Sequence, residues 1–138
     1  MSFSGKKYRR IGSENVEELV NATNSNQNLI KMLTAKGPIF SFTYIDESTF
    51  NFTLQMQHTT TTHTFKLGEE TEVVRRDGSK VKQTNTLESD NVLKQVMVPT
   101  NGGRVVYFRR EFGDKEAKMT IKMEGSDIEA TVYFEQVE

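Results

Sequence analysis

Phe65-Lys66-Leu67-Gly68-Glu69-Glu70 and Asp77-Gly78-Ser79-Lys80-Val81-Lys82 are the two segments that decide the fold of this 138-residue chain. Phe65 and Leu67 alternate with Lys66, which is typical of a strand with one buried face. Asp77-Gly78 favours a tight turn, because both residues tolerate the positive φ that hairpin turns require. Val81 then begins a return strand. The pattern predicts an antiparallel hairpin in the middle of the chain.

The same alternation extends over most of the chain and predicts ten strands. The first contains Tyr8 and Ile11 and ends near Gly12, and the others cover residues 39–44, 49–56, 58–67, 71–76, 80–87, 92–98, 104–112, 117–123 and 128–137. Turn signals every 8–12 residues are typical of a β-sandwich or β-barrel. Closure into a barrel removes edges that ten strands would otherwise expose.

Two short helices are predicted between the first and second strands. Ser13 or Glu14 begins the first, whose apolar face contains Val16 and Leu19. The second covers residues 27–36 and ends at Gly37-Pro38, because proline cannot continue a helix. The pair is too short to cover a sheet face, so we expect it to cap one mouth of a barrel.

Composition excludes several classes of protein. The net charge is −1, with 18 basic and 19 acidic residues, so no basic surplus favours nucleic acid. Cysteine is absent, which excludes a disulfide framework. No signal peptide or membrane span is recognisable. We therefore expect one soluble, cytoplasmic domain over residues 1–138. The low apolar fraction, 35%, fits either a polar surface or a barrel with a hydrated interior.

The central segments also carry a family likeness. Phe-Lys-Leu-Gly-Glu-Glu followed by Asp-Gly-x-x-Val-Lys resembles the intracellular lipid-binding proteins of the calycin superfamily, which include the fatty-acid-binding proteins. The start of the chain, residues 1–6 and 13–16, and the segments Arg110-Glu111-Phe112 and Val132-Tyr133 resemble the same family. The resemblance implies an all-β fold, a ten-stranded antiparallel up-and-down barrel (a β-clam) with a helix-turn-helix lid. It implies a carrier of a long-chain fatty acid or a similar hydrophobic ligand.

The family binds a ligand carboxylate with an Arg-x-Tyr pair on the last strand and a second arginine two strands earlier. Tyr133 matches the tyrosine, but Thr131 stands where the pair has arginine. The second arginine falls on Arg110, with Arg109 as the alternative, and strand alternation lets only one of them face inward. A single inward arginine leaves room for a retinoid, sterol or bile-acid-like ligand as well as a fatty acid.

The remaining candidate ligand contacts follow from alternation and from the family fold. Phe108 shares the row of Arg110, and Met119 and Ile121 form an apolar row on the next strand. The family fold implies further contacts at the lid and portal, at Val16, Leu19, Pro38 and His58. The two histidines, His58 and His63, lie on opposite faces of a strand and no cysteine is present, so no metal site is predicted.

No enzyme signature is present, and no cofactor is expected. The adjacent acids Glu69 and Glu70 would point apart on a strand, which does not suit shared acid–base chemistry. Two rivals to a carrier remain: an enzyme that uses Tyr133 and an arginine inside the barrel, and an interaction module with a filled core. We expect a monomer that binds no nucleic acid, with transient membrane contact through Lys31 and Lys36 of the lid.

Overall fold

A computed structural model describes residues 3–22, 38–56, 59–74, 80–100 and 104–137. It contains one helix, α1 (Val16–Ala22), in these ranges. The strands are β1 (Lys7–Glu14), β2 (Ile39–Tyr44), β3 (Thr49–Gln55), β4 (Thr60–Lys66), β5 (Glu70–Val74), β6 (Lys80–Ser89), β7 (Val92–Pro99), β8 (Val106–Phe112), β9 (Glu116–Met123) and β10 (Glu129–Val137).

The strands form one antiparallel sheet in the order β4-β3-β2-β1-β10-β9-β8-β7-β6-β5. Every neighbouring pair is consecutive in sequence except β1 and β10, which join the two ends of the chain. The sheet curls into a nearly closed barrel, with β4 and β5 at its two ends. This confirms the predicted up-and-down barrel. The predicted second helix and the turn at Asp77-Gly78 lie outside the described residues.

Each predicted strand overlaps an observed one, and the largest difference is at the start of the chain. The first strand was expected to end near Gly12, but β1 continues to Glu14 because Ser13 and Glu14 pair with β10. The pairing register shifts between Arg10 and Gly12, so Ile11 bulges outward and is 57% exposed. The helix therefore begins only at Val16, not at Ser13 or Glu14 as predicted.

Aromatic side chains fill much of the inner face of the barrel. Phe3 stacks on Phe112 with ring centres 4.0 Å apart, and Phe40 meets Phe134 edge to face at 4.8 Å. Apolar side chains of α1 join the same buried cluster. Offset-stacked and edge-to-face pairs are the favoured arrangements of aromatic rings, so these contacts fix the positions of the strands that carry them.

Candidate functional site

Arg110 is directed into the barrel and Arg109 away from it. The two are adjacent on β8, where successive side chains alternate between the two faces. Arg109 lies outside, where its guanidinium donates to Glu88 at 2.7 and 3.0 Å and also to Glu111. Arg110 lies in the same inward row as Phe108 and Phe112, both of which are buried. The structure thus assigns the inward position to Arg110, the favoured of the two alternatives.

The Arg110 guanidinium lies between aromatic rings, and the residue as a whole is half-buried. Its Cζ lies 5.5 Å from the ring centre of Phe42 and 5.7 Å from that of Phe108, within the range of cation–π attraction. Its Nη1 donates to Gln95 Oε1 at 3.0 Å, and its Nε is buried without a hydrogen-bond partner among the described residues. Burial lowers the pKa of Arg110 to about 10, so the group is still charged at neutral pH.

A chain of polar side chains continues from Arg110 across the inner face. Gln95 on β7 donates from Nε2 to Asn85 Oδ1 on β6 at 3.0 Å. Gln95 is 7% exposed and Asn85 is 1% exposed, so both amides are removed from solvent. The remaining amide nitrogen of Asn85 has no partner in the described part of the chain. Buried polar groups are normally paired. The incompletely paired chain of Arg110, Gln95 and Asn85 therefore indicates a part of the barrel with a role beyond packing.

Tyr8 adds a third unsatisfied polar group to the inner face. Its ring packs 5.3 Å from that of Phe112 and 5.6 Å from that of Phe40. The residue is completely buried, and its hydroxyl finds no partner within the described ranges. Burial raises the pKa of the Tyr8 phenol, which keeps it neutral and able to donate a hydrogen bond.

The last strand departs from the expected head-group arrangement. Its inward row is Ala130, Val132 and Phe134, all buried, and not the row of Thr131 and Tyr133. The expected inward orientation of Thr131 and Tyr133 is therefore wrong. In the antiparallel register Tyr133 lies opposite the exposed Lys118 of β9, so both face outward. Partial loss of solvent, and after it the carboxylate of Glu14, raise the pKa of Tyr133.

The other predicted contact residues fall into two groups. Phe108, Met119 and Ile121 are buried on the inner face, near enough in register to share one wall with Arg110. The second group belongs to the helical end of the barrel: Val16 and Leu19 are buried, Pro38 is partly buried, and His58 lies outside the described residues.

Sequence reasoning did not identify Asn85, Gln95 and Tyr8 as site residues. A usable signal existed for Gln95, because it interrupts the apolar row of Leu93 and Met97 on its strand. For Asn85 the signal was weaker, since Gln83 in the same row is polar too. The aromatic ring of Tyr8 is typical of a core position, so the sequence pattern gave no sign that its hydroxyl belongs to the site.

Two depressions of about 420 Å³ each lie on the outer surface of β7 to β10. One is lined by side chains of both charges, including Lys94, Arg109, Lys122 and Glu129, and the other by Ile11 and Tyr133 among others. Neither contains Arg110.

Among the described residues no group of three or more His, Cys, Asp or Glu side chains is placed to hold a metal ion. In those ranges no helix is both long and apolar enough to cross a bilayer.

Comparison with known proteins identifies relatives over nearly the full length. No protein-family model matches the chain. The chain is 32% identical to the muscle fatty acid-binding protein of Schistocerca gregaria over 129 residues, which cover 94% of this chain and 92% of that protein.

Solved structures share the architecture. The fatty acid-binding protein from brain tissue of Drosophila melanogaster has a TM-score of 0.74 and 28% identity, and the match covers 96% of this chain and 98% of that one. The fatty acid binding protein of Schistosoma mansoni, solved in complex with arachidonic acid, has a TM-score of 0.80 over 99% of this chain and 97% of that one. At 22% identity the second likeness is one of fold alone.

Proposed function

Because the chain belongs to the fatty-acid-binding protein family, we propose that it carries a long-chain fatty acid inside the barrel, with the ligand carboxylate on Arg110. The relatives named above are described as fatty-acid-binding proteins, one of them with arachidonic acid bound. In this proposal residues 1–138 act as one binding domain. We also propose that Phe108, Met119 and Ile121, on the wall beside the guanidinium, contact the acyl chain of the ligand.

The observation that carries the proposal is the uncompensated charge of Arg110. Burial is the sole cause of its lowered pKa, and no carboxylate of the described residues contacts it. Burying an unpaired charge costs several kcal/mol, and a protein of this size has only about 5–15 kcal/mol of net stability. An anionic head group would offset that cost by pairing with the guanidinium. Its free Nε supplies a donor for a carboxylate oxygen.

The inner wall around Arg110 suits an acyl chain. Phe108, Met119 and Ile121 present aromatic, thioether and branched apolar groups on adjoining strands. Each buried methylene contributes about 0.8 kcal/mol, so ten of them contribute about 8 kcal/mol before the entropy of binding is subtracted. The thioether of Met119 adapts to chains of different shape. Affinity in the micromolar range or tighter then depends on the head group.

The proposed role is transport and not catalysis, because the relatives are named for binding fatty acids and not for a reaction. We further propose that the protein acts in the cytoplasm as a monomer and contacts membranes transiently when it delivers its ligand. Lys31 and Lys36 are the candidate membrane contacts, and both lie outside the described residues. Ligand transfer to anionic vesicles that slows with added salt would support that contact, and transfer independent of salt would exclude it.

Calorimetric titration with oleate tests the proposal. The wild-type protein should bind oleate saturably, with one or two sites. Arg110→Met should weaken binding about 10- to 100-fold, because a charge-assisted hydrogen bond contributes about 1.5–3 kcal/mol. The same variant should be as stable as the wild type or more stable, because it removes a charge that contacts no carboxylate of the described residues.

Arg109→Met is the matched control, since Arg109 lies on the same strand with its charge outside. It should leave oleate affinity unchanged. Absence of saturable uptake by the wild type would refute the carrier and favour an interaction module. Equal affinities of the wild type and Arg110→Met, or tighter binding of retinol than of oleate, would exclude the carboxylate role. Chemical conversion of the bound lipid, detected by mass spectrometry, would favour an enzyme.

A further inference from the structure

The hydrogen-bond chain Arg110–Gln95–Asn85 has only one possible direction. Arginine carries donors and no acceptor, so the Gln95 atom that faces Arg110 must be the carbonyl oxygen Oε1. The amide nitrogen of Gln95 then donates to Asn85, which must present its own oxygen. The Asn85 NH₂ is what remains. The chemistry of arginine thus fixes which end of the Asn85 amide is free.

That free end is a buried donor without a partner among the described residues. Asn85 is 1% exposed, and its Nδ2 has no acceptor within the described ranges. Leaving such a donor unsatisfied costs free energy, and Leu or Val at this inward position would avoid the cost. Asn85 is not held there by backbone geometry, since it occupies an ordinary ladder position opposite Gln95. A bound acceptor explains the amide better than packing does.

The Gln95 amide lies between Asn85 and the Arg110 guanidinium, and it bonds to one of them at each end. Asn85 lies on β6, directly opposite Gln95 on β7, which in turn lies opposite Phe108 on β8. Two strand spacings place the Asn85 and Phe108 backbones roughly 10 Å apart, and Arg110 is two residues beyond Phe108. Gln95 occupies the Nη1 side of the guanidinium and separates it from Asn85. A second acceptor on the ligand would pair with the free Asn85 donor.

We propose that Asn85 is a specificity-determining residue that donates a hydrogen bond to an oxygen on the ligand's acyl chain. The favoured ligand class is a long-chain acid that carries a keto or hydroxyl oxygen away from its carboxyl end. This inference rests on the proposed function, because it takes the carboxylate to be on Arg110. Gln95 positions both donors, since it contacts each of them.

The test compares stearate with a series of ketostearates that differ in the position of the oxygen. At least one isomer should bind the wild type three- to tenfold more tightly than stearate, as expected for one added hydrogen bond. Methyl-branched stearates with the branch at the same carbons control for the shape of the substituent, and should show no such gain.

Asn85→Leu should abolish the preference while stearate still binds. Asn85→Asp keeps an acceptor for Gln95 and nearly the same shape but removes the free donor, so it should lose the preference as well, even if the leucine variant folds poorly. Thr86→Val, on the exposed row of the same strand, is the matched control and should retain it.

Two results would overturn the inference: no isomer preferred by a wild type that binds stearate, or a preference retained in both Asn85 variants. Either result would show that the amide holds only water or packs passively, and it would leave the carrier function intact. Failure of the wild type to bind stearate at all would instead refute the proposed function.

Discussion

Arg110 shows how a single residue sets the chemistry of the barrel interior. Its charge persists in an apolar surrounding because the pKa falls only to about 10. Phe42 and Phe108 and the Gln95 amide replace part of its lost hydration. A lysine is a compact, strongly hydrated point charge, and its pKa shifts readily on burial.

Arg110→Lys should therefore make ligand binding depend on pH near neutrality. Burial disfavours the charged form of a lysine as well, so the pKa of the introduced ammonium should lie below that of an exposed lysine. The charged form binds the carboxylate, so affinity for oleate should be highest below this pKa and fall as the pH rises through it. The wild type should stay constant between pH 6 and 9. Titrations across that range check the prediction, and equal pH profiles would contradict it.

Thr131 and Tyr133 provide the opposite test at the residue scale. Both lie on the outer row of β10, so Tyr133→Phe and Thr131→Val should leave oleate affinity within about twofold of the wild type. Val132→Ala, on the inner row, should weaken binding or folding because it removes buried apolar surface. A tenfold loss of affinity in Tyr133→Phe with unchanged stability would show that the Tyr133 hydroxyl takes part in ligand binding.

The placement of Tyr133 also shows where sequence reasoning stopped. Alternation in β10 defines two rows but not which of them is inside. The neighbouring strand resolves it, because β9 alternates charged Lys118 and Lys122 with apolar Met119 and Ile121. Residues opposite each other share a face, so the apolar row of β10 must be inward. Without the register of the two strands, that inference was not available.

Individual strands were predicted well because their signals are local. The bounds of most strands agree within two residues, since a period of two and the turn residues are written in the sequence itself. The start of α1 was missed because pairing of Ser13 and Glu14 with β10 extends the strand. That contact joins residues more than a hundred positions apart. Local pattern carries no information about it.

Gly68 connects β4 to β5 and gives a prediction at this scale. Its φ is +79°, and its N–H donates to the Asn85 carbonyl at 2.7 Å. A Cβ there would meet nothing within 4 Å, so alanine is opposed only by backbone strain. Gly68→Ala should lower the free energy of unfolding by about 1 kcal/mol, measured by urea denaturation.

Gly12→Ala is the control for this substitution. A Cβ at Gly12 also meets nothing within 4 Å, but no positive φ is required there. Its effect on stability should remain within about 0.5 kcal/mol, as for other surface changes. Equal destabilisation by the two alanines would mean that loss of glycine itself, and not the left-handed conformation, causes the effect.

At the scale of the whole molecule, the barrel combines a tightly packed aromatic cluster with a short polar chain. The cluster joins both ends of the sequence, through Phe3 and Phe134. The polar chain crosses three strands, β6 to β8, and ends in donors that have no acceptor among the described residues. The fold was predictable from pattern and resemblance. The polar chain was not predictable from the sequence, because its residues come together only when β6, β7 and β8 pair in their observed register.

A crystal structure of the complex with oleate would show whether Arg110 binds the ligand carboxylate inside the barrel. We expect the ligand inside the barrel, with a carboxylate oxygen within hydrogen-bond distance of Arg110 Nε and the acyl chain against Phe108, Met119 and Ile121. Oleate bound on the outer surface, or inside with its carboxylate turned away from Arg110, would contradict this expectation.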